Sequence, residues 1–142
     1  MEAEYFSKSW DSCCFGGFLF GRETVRRMVP SGKGTLLFTG ASASLRGRAN
    51  FGAFNSAKSG LRTLAQEMTK EYGAKGIHVG HVIIDGAIAG EKIKLHLPEF
   101  PEKLGEEGMI YIEGVVNSYA FLHNQSPQSW SFELDLRTSI EK

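Results

Sequence analysis

At 142 residues the chain allows one domain at most and a small core, and its 42% hydrophobic and 23% charged residues sit near the globular average, not in the disordered range. Sixteen basic residues balance sixteen acidic ones, and a zero net charge argues against nucleic acid or an anionic membrane as partner. No apolar run reaches the roughly 18 residues of a membrane span, residues 1–4 lack the basic start of a secretory signal, and the adjacent Cys13 and Cys14 suit neither a disulfide nor a zinc site. The expectation is a soluble, cytoplasmic protein with buried thiols and no metal.

A first helix is predicted over residues 7–28, where Trp10, Cys14, Phe18, Gly21, Val25 and Met28 recur at helical spacing. Gly16, Gly17 and Gly21 inside it each cost about 1 kcal/mol relative to alanine, which close packing on a sheet or partner helix explains better than a ligand does. Residues 35–39 are a short apolar run between glycines, as in a strand buried on both faces of a parallel sheet. A small-residue loop follows over 40–50. The strongest helix is predicted over 51–72, with Phe54, Ala57, Leu61, Leu64, Ala65, Met68 and Tyr72 as its apolar stripe, Asn50 as N-cap and Gly73 at its C-terminal end. A β-branched strand covers 77–84 and ends at Asp85-Gly86.

Residues 87–109 read as a long loop with a short helix near 92–97. A further helix is predicted over 110–123, a turn-rich connector over 124–129, and an alternating strand over 132–137, half buried or at an edge. The order αβαβ(loop)αβ predicts a mostly parallel sheet with right-handed crossovers.

The loop Thr39-Gly40-Ala41-Ser42-Ala43-Ser44-Leu45-Arg46-Gly47 follows a strand, but Ser44 and Arg46 stand where a dinucleotide fingerprint requires glycines, so it is not read as a phosphate cradle. Lys58 lies in the first turns of the long helix. Taken alone, a lysine there snorkels to solvent. The strand–loop, the N-terminus of that helix and the Asp85-Gly86 turn all gather at the carboxyl edge of the sheet, however, where open α/β sheets bind ligands. His78 and His81 alternate on a buried strand and are expected to be packed and hydrogen-bonded, not catalytic.

The sequence Phe54-Asn55-Ser56-Ala57-Lys58, then Gly76-Ile77-His78-Val79, and a strand ending in Asp85-Gly86-Ala87-Ile88, resembles the C-terminal half of the short-chain dehydrogenase/reductases, over about residues 10–137. The loop over 39–47 and the ending Trp130-Ser131-Phe132-Glu133-Leu134-Asp135-Leu136-Arg137 look like a divergent group of that family. The resemblance implies an α/β fold: a partial Rossmann-like parallel sheet of about three strands and three to four helices. It would be a single partial domain over 1–142, lacking the N-terminal cofactor-binding half.

The family's chemistry is hydride transfer to or from NAD(P), with a tyrosine as acid/base, a lysine that lowers its pKa and holds the nicotinamide ribose, a carbonyl-polarising serine and a supporting asparagine. By resemblance the lysine is Lys58, the tyrosine position is Phe54, and the serine position, thirteen residues earlier, is Ala41, with Ser42 as a possible substitute. The asparagine position is Cys13, the nicotinamide-lining turn is Asp85, Gly86, Ala87 and Ile88, and the threonine expected soon after is Gly90. The expectation is therefore a parent that uses NAD or NADP on a small carbonyl or alcohol substrate. The chain itself is expected to be inactive in isolation, to bind no cofactor tightly, and to form a homo-oligomer or pair with a full-length relative through helices 7–28 and 51–72.

Overall fold

The computed structural model describes residues 1–105 and 107–140; Glu106, within the predicted 87–109 loop, lies outside the described residues. In chain order the elements are α1 (Ala3–Trp10), a π-helical turn (Asp11–Phe15), α2 (Gly16–Met28), β1 (Gly34–Ala41), α3 (Gly52–Tyr72), β2 (Ile77–Asp85), β3 (Ala87–Ile88), α4 (Glu91–His96), α5 (Glu99–Leu104), β4 (Met109–Ile110), α6 (Ile112–His123) and β5 (Glu133–Arg137). β1, β2 and β5 form a parallel sheet with β2 in the centre, and β3 pairs with β4 in a small parallel sheet.

All nine residues of β2 are buried, as its unbroken Ile/Val-rich run requires of a strand covered on both faces. On one face, Leu36, Phe38, Ile77 and Val79 pack under Val25 of α2 and Leu61, Ala65 and Met68 of α3. On the other, Val82 and Ile84 pack with Ile110 and with Leu122 of α6. The helical glycines are there for close approach: a Cβ on Gly17 would lie 2.5 Å from Leu61 Cδ1, and one on Gly21 would lie 3.0 Å from the Phe38 ring.

Several boundaries differ from expectation. The first helix begins at Ala3 and is interrupted by the π turn that carries both cysteines, which are half-buried and unpaired. Asn50 is not the N-cap of α3; it adopts a positive φ of 69°, and the helix starts after Phe51 without a side-chain cap. Gly73 keeps right-handed helical geometry, and the left-handed stop comes at Gly76, φ 84°, where a side chain would strike the Gly32 carbonyl. The 87–109 segment is more structured than a loop, holding β3, α4, α5 and Met109 of β4; pairing of Ile88 with Ile110 withdraws Ile110 from the helix predicted to begin there. The strand predicted over 132–137 is the half-buried edge strand β5.

Candidate functional site

The carboxyl ends of β1 and β2 open into a cleft of about 1050 Å³, at the upper end of the usual range for small-molecule sites. One wall comes from β1 and the loop after it, a second from the first turns of α3, and a third from the chain beyond β2, through Gly86, Ile88 and α4. The π turn reaches the same space through Cys13.

Polar residues of α3 hold the loop in place. Asn55 Nδ2 donates to the Arg46 carbonyl at 3.0 Å, Ser59 Oγ to the Ser44 carbonyl at 3.3 Å, and Ser44 Oγ to the Ala41 carbonyl at 2.7 Å. Arg46 then crosses to the end of β2, where its guanidinium meets Asp85 Oδ1 at 3.1 Å. Asp85 is 4% exposed and also lies 3.6 Å from Arg137.

Lys58 and Phe54 stand one helical turn apart on α3. The Lys58 ammonium donates to the Thr39 carbonyl at 3.1 Å and lies 5.7 Å from the centre of the Phe54 ring. The Thr39 hydroxyl is in turn bonded to Tyr119 OH. Lys58 makes no ion pair among the described residues, and the Ser42 hydroxyl has no partner among them. At the mouth, Arg48 rests 4.9 Å from the centre of the Phe51 ring.

The structure gathers Cys13, Ala41, Ser42, Phe54, Lys58, Gly86 and Ile88 around this one cleft. Two residues expected beside them do not line it. Asp85 spends its carboxylate on Arg46 and Arg137, and Ala87 pairs with Met109 in the small sheet. Gly90 lines the cleft without a side chain to offer. Sequence reasoning missed Thr39 as the acceptor for Lys58, the two aromatic–cation pairs, and Ile93 and Ile112 as apolar walls. The Phe51–Phe54–Lys58 spacing on one helix was the available signal.

His81 lies outside the cleft, fully buried beneath α3 as expected of a packed histidine. Its Nδ1 meets Glu133 Oε2 at 2.9 Å, and Glu133 accepts from Arg62 Nε at 2.7 Å and Nη2 at 2.9 Å. Burial holds the His81 pKa below its ordinary value despite Glu133, and the bonds from Arg62 hold Glu133 below the usual carboxylate value. His78 donates from Nε2 to the Ser131 carbonyl at 2.8 Å and stacks on Trp130 at 4.9 Å. Among the described residues no cluster of metal-binding side chains occurs, and no helix is long and apolar enough to cross a membrane.

A family model described as short chain dehydrogenase matches residues 1–91. A curated relative, short chain aldehyde dehydrogenase 1 of Euphorbia lathyris, is 30% identical over 87 residues, which is 61% of this chain and 30% of that protein. A solved short-chain dehydrogenase from Rhodopseudomonas palustris is 38% identical, with a TM-score of 0.74 over 96% of this chain and 53% of its own. The closed form of a serine dehydrogenase complexed with NADP+ shares the fold alone at 12% identity, with a TM-score of 0.88 over 100% of this chain and 59% of its own. The chain thus spans little more than half of these solved structures.

Proposed function

The chain belongs to the short chain dehydrogenase family, and from that premise we propose that it carries the substrate-side portion of an oxidoreductase site that has lost its proton donor. By itself it holds no cofactor tightly and does not turn over. The observation that carries this reading is Phe54, one turn before Lys58, its ring against the ammonium that would otherwise tune a phenol. A phenylalanine has no proton to give, and general acid catalysis is worth roughly 10²–10⁴-fold. Ala41 removes a second donor from the serine's place, leaving Ser42 as the hydroxyl nearest in sequence.

The residues present fit one end of NAD(P) only. Lys58 retains ammonium N–H groups for a ribose hydroxyl, and Gly86 and Ile88 border the same space. The sequence offers no Gly-x-x-x-Gly-x-Gly segment for a pyrophosphate, and no step is assigned through the cofactor. In this reading residues 1–142 are one partial Rossmann-like domain. A longer parent would use NAD or NADP on a small carbonyl or alcohol.

Calorimetric titration of the chain with millimolar NADH and NADPH, and assay of both with small aldehydes and ketones, tests this. Neither binding nor oxidation is expected; cofactor-dependent turnover by the unaltered chain would refute the reading. A second reading, a non-catalytic module that pairs with another copy or a full-length relative, is favoured by the exposed Phe15, Phe18 and Leu19 on the first helix and is decided by the solution mass.

A further inference from the structure

The cleft combines apolar walls with an excess of positive charge. Its walls are hydrocarbon, from Phe51, Phe54, Ile84, Ile88, Ile93 and Ile112. Its charges are mostly of one sign: Arg46, Arg48, Lys58 and Lys92 face Glu91, in a chain of zero net charge. Arg46 is matched by Asp85, and Arg48 lies on the Phe51 ring at an exposed position. Lys58 is different. It is half-buried, makes no ion pair among the described residues, and donates to one backbone carbonyl.

An ammonium has three N–H donors, so two remain. The Ser42 hydroxyl lines the same cleft and is also without a partner among the described residues. Spare donors on a cation that has a ring and a carbonyl but no carboxylate beside it among the described residues, lining an apolar cavity, suit an anionic group that only accepts.

We propose that the cleft binds an apolar carboxylic acid in its ionised form. The carboxylate takes the ammonium of Lys58 and the hydroxyl of Ser42, and the hydrocarbon lies against Phe54 and the isoleucines. The proposal rests on the reading that Phe54 leaves the site without a proton donor, because a carboxylate is a ligand that needs none. A phosphate group is a poorer match, since it favours the forked arginine guanidinium, and of the cleft's two arginines Arg46 is paired with Asp85 while Arg48 lies at an exposed position. A neutral alcohol or ketone leaves the charge of Lys58 unmet.

The test is calorimetric titration of the chain with phenylacetate and with its neutral counterpart 2-phenylethanol, at neutral pH and low salt. The acid is expected to bind about tenfold more tightly, the scale of a charge-assisted over a neutral hydrogen bond. Lys58→Met should remove most of that ratio. Lys58→Arg should keep the preference, and Lys33→Met, outside the cleft, should change nothing. Equal affinity for acid and alcohol, binding of neither, or a preference that survives Lys58→Met in a folded variant would overturn the proposal. The acid-to-alcohol ratio of the unaltered chain decides even if a variant fails to fold. Acid preference together with NADH-dependent turnover would sink the non-catalytic reading and leave this one standing.

Discussion

A buried histidine in the central strand of a parallel sheet calls for partners at its ring nitrogens, and among the described residues His81 has one, at Nδ1. The Glu133 carboxylate accepts at Nδ1, so the proton sits there; Nε2 is buried without a partner among the described residues, and it packs so close to the Gly40 backbone that a Cβ on Gly40 would lie 2.1 Å from it. Glu133 draws the imidazole toward the charged form, whereas burial, which dominates, and the charges of Arg62 and Lys58 oppose it. The ring is therefore neutral in the fold, with a pKa below the ordinary 6.5. In the unfolded chain it titrates near that ordinary value. As pH falls below about 6.5 the unfolded state takes up a proton that the folded state refuses, so stability declines, and nothing is lost above it. Glu133, whose folded pKa is also depressed, adds a second loss in the same direction below its ordinary 4.5. Thermal melts between pH 8 and 5 should be flat at the alkaline end and fall through the acid half. His81→Asn, which leaves the Arg62–Glu133 bonds in place, should make that acid slope shallower. An unchanged slope would show that His81 does not titrate with folding.

Helix glycines of the same chemistry have opposite worth on different elements. On α2, Gly21 lets the helix approach the Phe38 ring and the Met68 thioether, to 3.0 and 3.1 Å from a would-be Cβ, and there is no volume for a side chain. On α6, Gly114 is exposed with nothing within 4 Å, and its only effect is the entropy it adds to the unfolded chain. Gly114→Ala should therefore raise stability by about 0.5–1 kcal/mol, while Gly21→Leu should lower it by about 1–3 kcal/mol or more through overpacking. Denaturant melts of the two variants check the contrast; a stabilised Gly21→Leu would mean that α2 is not seated on the sheet. The same distinction explains what could be read from sequence. The stripe of α3 was legible because Ala57, Leu61, Ala65 and Met68 repeat at helical spacing and all four are buried. Phe54 counted as part of that stripe, yet it is half-buried and turned to the cleft, which the resemblance rather than the periodicity revealed. β3 and β4 have two residues each, too few for any period, and are made by pairing across about twenty residues. The partners of Lys58 and Asp85 were hidden for the same reason: Thr39 lies nineteen positions from Lys58 and Arg46 thirty-nine from Asp85, and only the fold brings them together.

For the molecule as a whole, surface composition favours self-association. With zero net charge there is no long-range repulsion between copies at neutral pH. Phe15, Phe18 and Leu19 are each more than a third exposed, and they occur at the i, i+3, i+4 spacing that puts them on one face of the helix, with Phe15 and Phe18 stacked at 6.1 Å. Beside that patch the helix is closed against the protein through Gly17, Gly21 and Val25. A contiguous apolar patch backed by a rigid packed face is the usual form of a pairing surface. A second route exists at β1, an edge strand in which no other described strand pairs with its free side. The two routes make different demands. Association through the helix is removed by placing charge on the patch, whereas association through main-chain hydrogen bonds at β1 is indifferent to it. Light scattering at tens of micromolar should give a mass of twice 15.6 kDa for the unaltered chain and 15.6 kDa for the Phe15→Glu, Leu19→Glu variant. A monomeric unaltered chain would exclude pairing with itself. Association that survives both glutamates would move the contact from the helix to the sheet edge, where a mixture of masses is expected in place of a closed dimer, because edge pairing does not of itself limit the number of copies.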